Sequence, residues 1–124
     1  MKWKQIDPPR TFEAGRNKLV MKDTGEIYLE PDEQVTFKTD SGTEYDVARK
    51  SWGYYATPSL NGRLPGFNLR PVLVAGDNGK QFLHLVEVGH EGEHEEYLEQ
   101  NHLRVMAWLD AGLTTLEPDG ADNK

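Results

Sequence analysis

The chain predicts a mainly β fold of α+β type, an antiparallel meander of hairpins curled into a mixed sheet, barrel or sandwich, with one helix and a last strand near the C-terminus. Three observations carry this expectation. The triplets Asp23-Thr24-Gly25, Asp40-Ser41-Gly42 and Asp77-Asn78-Gly79 each separate short runs rich in β-formers. Apolar and polar residues alternate in several of those runs. A single glutamate-rich stretch, EGEHEEYLEQN, reads as a helix.

Taken in order, residues 1–15 form an extended N-terminal segment containing Pro8-Pro9, residues 16–110 one β-rich domain, and residues 111–124 a mobile acidic tail without periodicity. KLVMK and EIYLE flank the first triplet, QVTFKT and TEYDVA the second, LRPVLVA and KQFLHLVEV the third. Glycine last in a three-residue loop accepts the positive φ that a side chain resists, so each triplet predicts a hairpin. Glu30-Pro31-Asp32-Glu33 turns the second strand into the third, which makes residues 18–50 one meander.

Val35 and Phe37 share one strand face against Thr36 and Lys38, and Tyr45 and Val47 oppose Glu44 and Asp46. These strands are expected to be covered on one side. Phe82 to Val88 and Leu103 to Leu109 carry apolar residues at both parities, the pattern of central strands buried on both faces. The helix between them starts near Gly89, places acids in its first turn, and ends at Asn101 in a left-handed conformation. Strand, helix and strand with such short links predict parallel pairing through a right-handed crossover.

The chain of 124 residues carries 21 acids against 14 bases, a formal net charge of −7, and no cysteine. Disulfides and thiol catalysis are excluded, and the usual ligands of structural zinc are missing. Acidic balance argues against general nucleic-acid binding. No apolar run matches a signal peptide or a membrane-spanning helix, so the expected compartment is the cytoplasm, with no membrane partner. Neither glycine-rich phosphate fingerprint occurs, and no cofactor is expected.

Charge is segregated along the chain. Residues 1–46 hold ten acids and seven bases, 77–86 one of each, and 87–124 ten acids and two bases. Residues 47–76 hold no acid and four bases. That basic, aromatic, turn-rich centre points to a binding surface. Arg49, Arg63 and Arg70 offer planar forks for carboxylate or phosphate. Trp52, Tyr54 and Tyr55 offer ring faces, and Ser59 and Asn61 stand where Pro58 and Gly62 bend the chain. The same residues also suit a scaffold, with the rings as core and the arginines paired to acids such as Asp46 and Glu44.

His90-Glu91-Gly92-Glu93-His94 has the spacing of the zinc-protease motif, with two histidines one helical turn apart and a glutamate as base. Its context differs, because it opens the helix, contains Gly92 and leads into Glu95 and Glu96. No third ligand follows at the expected distance. A solvated acidic helix is the plainer reading, and a small zinc hydrolase using His90 and His94 the alternative. Asp-Thr-Gly and Asp-Ser-Gly spell the aspartic-protease signature, but the flanking strands require turns there.

The string DVARKSWGYYATPSLNGRL, Asp46 to Leu64, resembles a group of short uncharacterised bacterial proteins, some associated with surface-polysaccharide gene neighbourhoods. The resemblance extends from about Met21 to Asp110. It implies no activity and no catalytic residues, and it raises sugar-pathway accessory roles above other binding roles. The expected function is therefore non-catalytic: recognition of a polar or anionic ligand of sugar or nucleotide type, or of a protein partner, through residues 49–70. A homodimer associating through the aromatic window or an unpaired strand edge is the other alternative.

Overall fold

The computed structural model describes residues 1–111, and the expected acidic tail lies outside the described residues apart from its first position. Among the described residues eight strands form three separate antiparallel sheets. None closes into a barrel, and every ladder is antiparallel, so the expected mixed sheet and barrel are corrected.

Strand β1 (Lys2–Ala14) pairs with β2 (Leu19–Tyr28) in a two-stranded ribbon. Most of the expected N-terminal segment, Lys2–Ala14, is thus extended as a strand. Its register shifts between Gln5 and Arg10, the interval containing Pro8-Pro9, which have no N–H to give to the ladder. The ribbon turns at Gly15–Lys18, where Gly15 and Lys18 both take positive φ and the Lys18 N–H donates to the Gly15 carbonyl at 3.2 Å. Asp23-Thr24-Gly25 is therefore inside β2 and makes no hairpin. Gly25 serves a different need: a Cβ there would collide with the Trp3 indole lying across it.

The second sheet has the order β3-β4-β5, with β3 at Gln34–Lys38, β4 at Glu44–Lys50 and β5 at Gly53–Ala56. Asp40-Ser41-Gly42 turns β3 into β4 as expected, with Gly42 at φ +105°. The Thr39 hydroxyl accepts the Thr43 N–H at 3.3 Å and lies 2.6 Å from the Thr43 hydroxyl, which ties the loop. The Glu30–Glu33 turn also forms, yet β2 pairs only with β1, so the single meander over 18–50 is corrected.

In the third sheet β6 (Leu69–Gly76) lies between β7 (Gln81–Glu87) and β8 (Leu103–Trp108). Asp77-Asn78-Gly79 makes the β6–β7 turn, with Gly79 at φ +81° donating to the Gly76 carbonyl at 3.0 Å. Helix α2 (Glu91–Gln100) then carries the chain to the far side of β6. β7 and β8 run in one direction without touching as neighbours, because both pair antiparallel to β6. This corrects the expected adjacent parallel pair. It also moves the centre of the sheet, since β6 is the strand buried on both faces while β7 and β8 form the edges. The physical reason is composition: after Arg70, β6 has no charged residue to keep wet.

Val72 and Val74 are fully buried, and Val86 and Leu98 pack with them against Leu103 and Trp108. A four-residue helix, α1 (Arg63–Gly66), seals one end by placing Leu64 at 0% exposure. The limits of α2 also differ in detail. His90 is its N-terminal flank, and His102, not Asn101, takes the left-handed conformation at φ +54°. Asn101 instead donates its side-chain amide to the Tyr97 carbonyl at 2.9 Å. The described residues end on a 3₁₀ turn at Leu109–Ala111.

Leu64→Ala should lower unfolding free energy by about 2–5 kcal/mol, while Leu60→Ala, at an exposed position beside it, should cost about 0.5 kcal/mol or less. Urea titration followed by far-UV circular dichroism measures both. Equal losses would show that the short helix does not close the core.

Candidate functional site

The three central arginines go to three places. Arg63 donates from Nη2 to Asp46 Oδ2 at 3.0 Å and stands over the Phe67 ring. Asp46 is nearly buried, and its other oxygen accepts the Thr36 hydroxyl at 2.6 Å, so this pair joins α1 to the second sheet. Arg70 donates from Nε to Asp110 Oδ2 at 2.8 Å and from Nη1 to Glu91 Oε2 at 3.4 Å, with its guanidinium 4.0 Å from the Trp108 ring centre. The Asp110 bond, foremost among its partners, pushes its pKa up. Both residues act as fasteners of the fold. Glu44, the other acid expected to meet an arginine, pairs with Lys38 at 3.0 Å.

Arg49 is different. Its guanidinium donates from Nη1 to the Leu29 carbonyl at 2.6 Å, and among the described residues no carboxylate pairs with it. Its backbone is also held from both directions, by donation to the Glu33 carbonyl at 2.9 Å and acceptance from the Asp32 N–H at 2.7 Å. A neutral carbonyl does not form an ion pair, unlike the carboxylates that meet Arg63 and Arg70.

Arg49 lies opposite Tyr54 in the β4–β5 ladder, and the two residues Ser51 and Trp52 make the connecting loop. A loop this short leaves no room for Trp52 to fold back. Trp52 is 71% and Tyr54 72% exposed. Together with Tyr28 and Glu30 from the end of β2, they line an open cleft of about 530 Å³ that Arg49 and Lys50 also border. Lys50 is occupied by Asp32 at 2.6 Å.

The other expected site residues fall elsewhere. Tyr55 follows Tyr54 on the strand and so takes the opposite face. Ser59 accepts the Arg63 N–H through its hydroxyl at 2.8 Å, a local structural bond, and Asn61 is exposed in the turn before α1. The structure therefore gathers Arg49, Trp52 and Tyr54 and disperses Tyr55, Ser59, Asn61, Arg63 and Arg70. The cleft's other wall, Ile27 to Glu30, had no mark in the charge pattern that singled out residues 47–76.

No family model, curated protein or solved structure matches the chain.

His90 and His94 border one shallow cleft with His84 but take different partners. His90 Nδ1 is 2.6 Å from Glu93 Oε1, whose hydrogen bond raises the His90 pKa. His94 Nε2 instead meets His84 Nδ1 at 2.9 Å, with the rings edge to face. Burial lowers the pKa of both His84 and His94, and the proximity of His94 lowers His84 further. Among the described residues no group of three or more potential ligands is placed to hold a metal ion. No spacing rule links positions 84 and 94, so this pairing has no mark in the sequence.

Both lowered values have one consequence. Below the ordinary imidazole pKa of 6.5 the unfolded chain binds protons that folded His84 and His94 resist, so stability falls as pH drops from 6.5 through their depressed values. His90 acts in the opposite sense, its contribution being complete below 6.5 and lost as pH rises through its raised pKa. Because His90 is exposed, solvent screening weakens its share. Scanning calorimetry should show the melting temperature falling from pH 6.5 to about 5, less steeply in His84→Gln. An unchanged slope would remove the histidine pair from the account.

Proposed function

We propose that this chain is a non-catalytic binding or accessory protein that recognises a polar or anionic ligand of sugar or nucleotide type in the cleft between the end of β2 and the β4–β5 loop. One observation carries the reading: the central arginine without a carboxylate partner borders the same open cleft as Trp52 and Tyr54. Ring faces supply contact with a flat or pyranose-like ring, and a guanidinium without a carboxylate partner favours a carboxylate or phosphate beside it. Glu30 on the rim adds an acceptor for hydroxyl groups.

The resemblance of residues 46–64 to short bacterial proteins, some from surface-polysaccharide gene neighbourhoods, favours the sugar class within this reading. The cytoplasm is the proposed compartment. Among the described residues no helix is long and apolar enough to cross a membrane.

Trp52 fluorescence offers the test, with neutral and uronic-acid disaccharides and nucleoside diphosphates as probes. An anionic probe should change the emission, and Arg49→Gln should weaken its binding by roughly 10–100-fold, the range of a charge-assisted hydrogen bond. Trp52→Ala, followed by calorimetric titration, should abolish binding and leave the melting temperature within about 2 °C, as expected for a loop-tip side chain. Wild-type affinity in both variants would refute the assignment of the cleft.

A further inference from the structure

The β1–β2 ribbon has two chemically distinct faces. Cross-strand pairs share a side, so the register places Ala14 with Leu19, Phe12 with Met21, Arg10 with Asp23, Gln5 with Gly25 and Trp3 with Ile27 on one face. The other face carries Glu13 with Val20, Thr11 with Lys22, Lys4 with Glu26 and Lys2 with Tyr28. Alternation this regular ordinarily means that the apolar side is covered.

In this chain it is not. Trp3, Phe12, Leu19, Met21 and Ile27 remain between 39% and 58% exposed. The ribbon's polar contacts to the rest of the fold lie near its ends: the N-terminal ammonium meets Glu33 at 2.8 Å, and beyond Ala14 the turn bonds to α2, with the Arg16 N–H to Asn101 at 2.9 Å and Asn17 to Gln100 at 3.1 Å, where Leu19 and Met21 border a small cleft beside Tyr97. Neither strand has a buried residue. Two strands without a covered face are marginal in water, so this register needs a further layer.

We infer that the apolar face of the ribbon is the contact surface for a second copy of this chain, packed face to face about a two-fold axis. The face is its own complement. The two charged residues among its paired positions, Arg10 and Asp23, are opposite in sign, pair at 2.7 Å, and sit at its middle between an aliphatic-aromatic end and a Trp3-Ile27 end. A two-fold across the strands lays the Leu19, Met21 and Phe12 end of one copy on the Trp3 and Ile27 end of the other and brings the two ion pairs together at the axis. Isologous contact demands such self-matching, whereas an unrelated partner would not require charge balance within one face.

Area is sufficient. Five side chains, each leaving on the order of 100 Å² open, give about 500 Å² per copy. The pair buries about 1,000 Å², the lower bound of a specific interface, before backbone and neighbouring polar groups are counted. Two sheets stacked about 10 Å apart would enclose these side chains as a sandwich core does.

Light scattering coupled to size exclusion, on the full chain, tests this. The expected mass is twice the 14.1 kDa of one copy. Met21→Lys should raise the dissociation constant by at least about 30-fold, because the two-fold doubles the unpaired charge it introduces. Val20→Lys, one residue away on the polar face, should leave the dimer intact. Should Met21→Lys fail to fold by circular dichroism, Phe12→Lys serves in its place. A wild-type mass of 14.1 kDa at every concentration up to about 100 µM overturns the inference, as does dissociation by Val20→Lys with persistence in a folded Met21→Lys or Phe12→Lys.

Discussion

Burial of β6 on both sides is the constraint around which the third sheet and its attachments are arranged. Val72 and Val74 have no exposed surface, so a strand must lie on each flank and a helix over one face. The Asp77-Asn78-Gly79 turn supplies β7 at minimal separation, and α2 spans β6 to supply β8. Leu98 is the single buried residue of α2, and it reaches the same cluster as Val86. Five glutamates occupy the remaining positions of that helix, which is held by the Leu98 contact, the Arg70 to Glu91 pair and the His94 contact to His84 on β7.

The acid-free centre looks like one surface when read as a line of letters, and the structure divides it into three jobs. Residues 47–56 form β4 and β5, 63–66 form α1, and 69–76 form β6. Arg63 and Arg70 find acids contributed from outside the segment, Asp46 just before it, and Glu91 and Asp110 far after it. Segregation of charge along a chain thus created pairing across sheets, and Arg49 differs only because the group that folding brings to it is a carbonyl.

Fold class was legible because it rests on local rules. The Asp40 and Asp77 loops follow turn chemistry, and α2 falls within a residue of its expected span. What was not legible depends on partners distant in sequence. Three Asp-x-Gly triplets are equivalent as text, yet Gly25 is claimed by Trp3, and the first hairpin moves to Gly15. Two apolar segments promised a strand pair, and only the stronger burial of β6 put it between them. For the site, residue type and charge located Arg49, Trp52 and Tyr54. Tyr28 and Glu30, which complete the cleft, are ordinary letters at the end of a strand, and folding alone brings them near.

A two-residue loop that holds its indole outward has an evolutionary corollary. Position 52 is largely exposed, so exchange for another ring or a hydroxyl would change the chemistry of the cleft rim while the scaffold stays near its original stability, within about 0.5 kcal/mol. If the cleft binds as proposed, selectivity and foldability are decoupled at this one residue, and a single codon change there would shift the preferred molecule without cost to the scaffold.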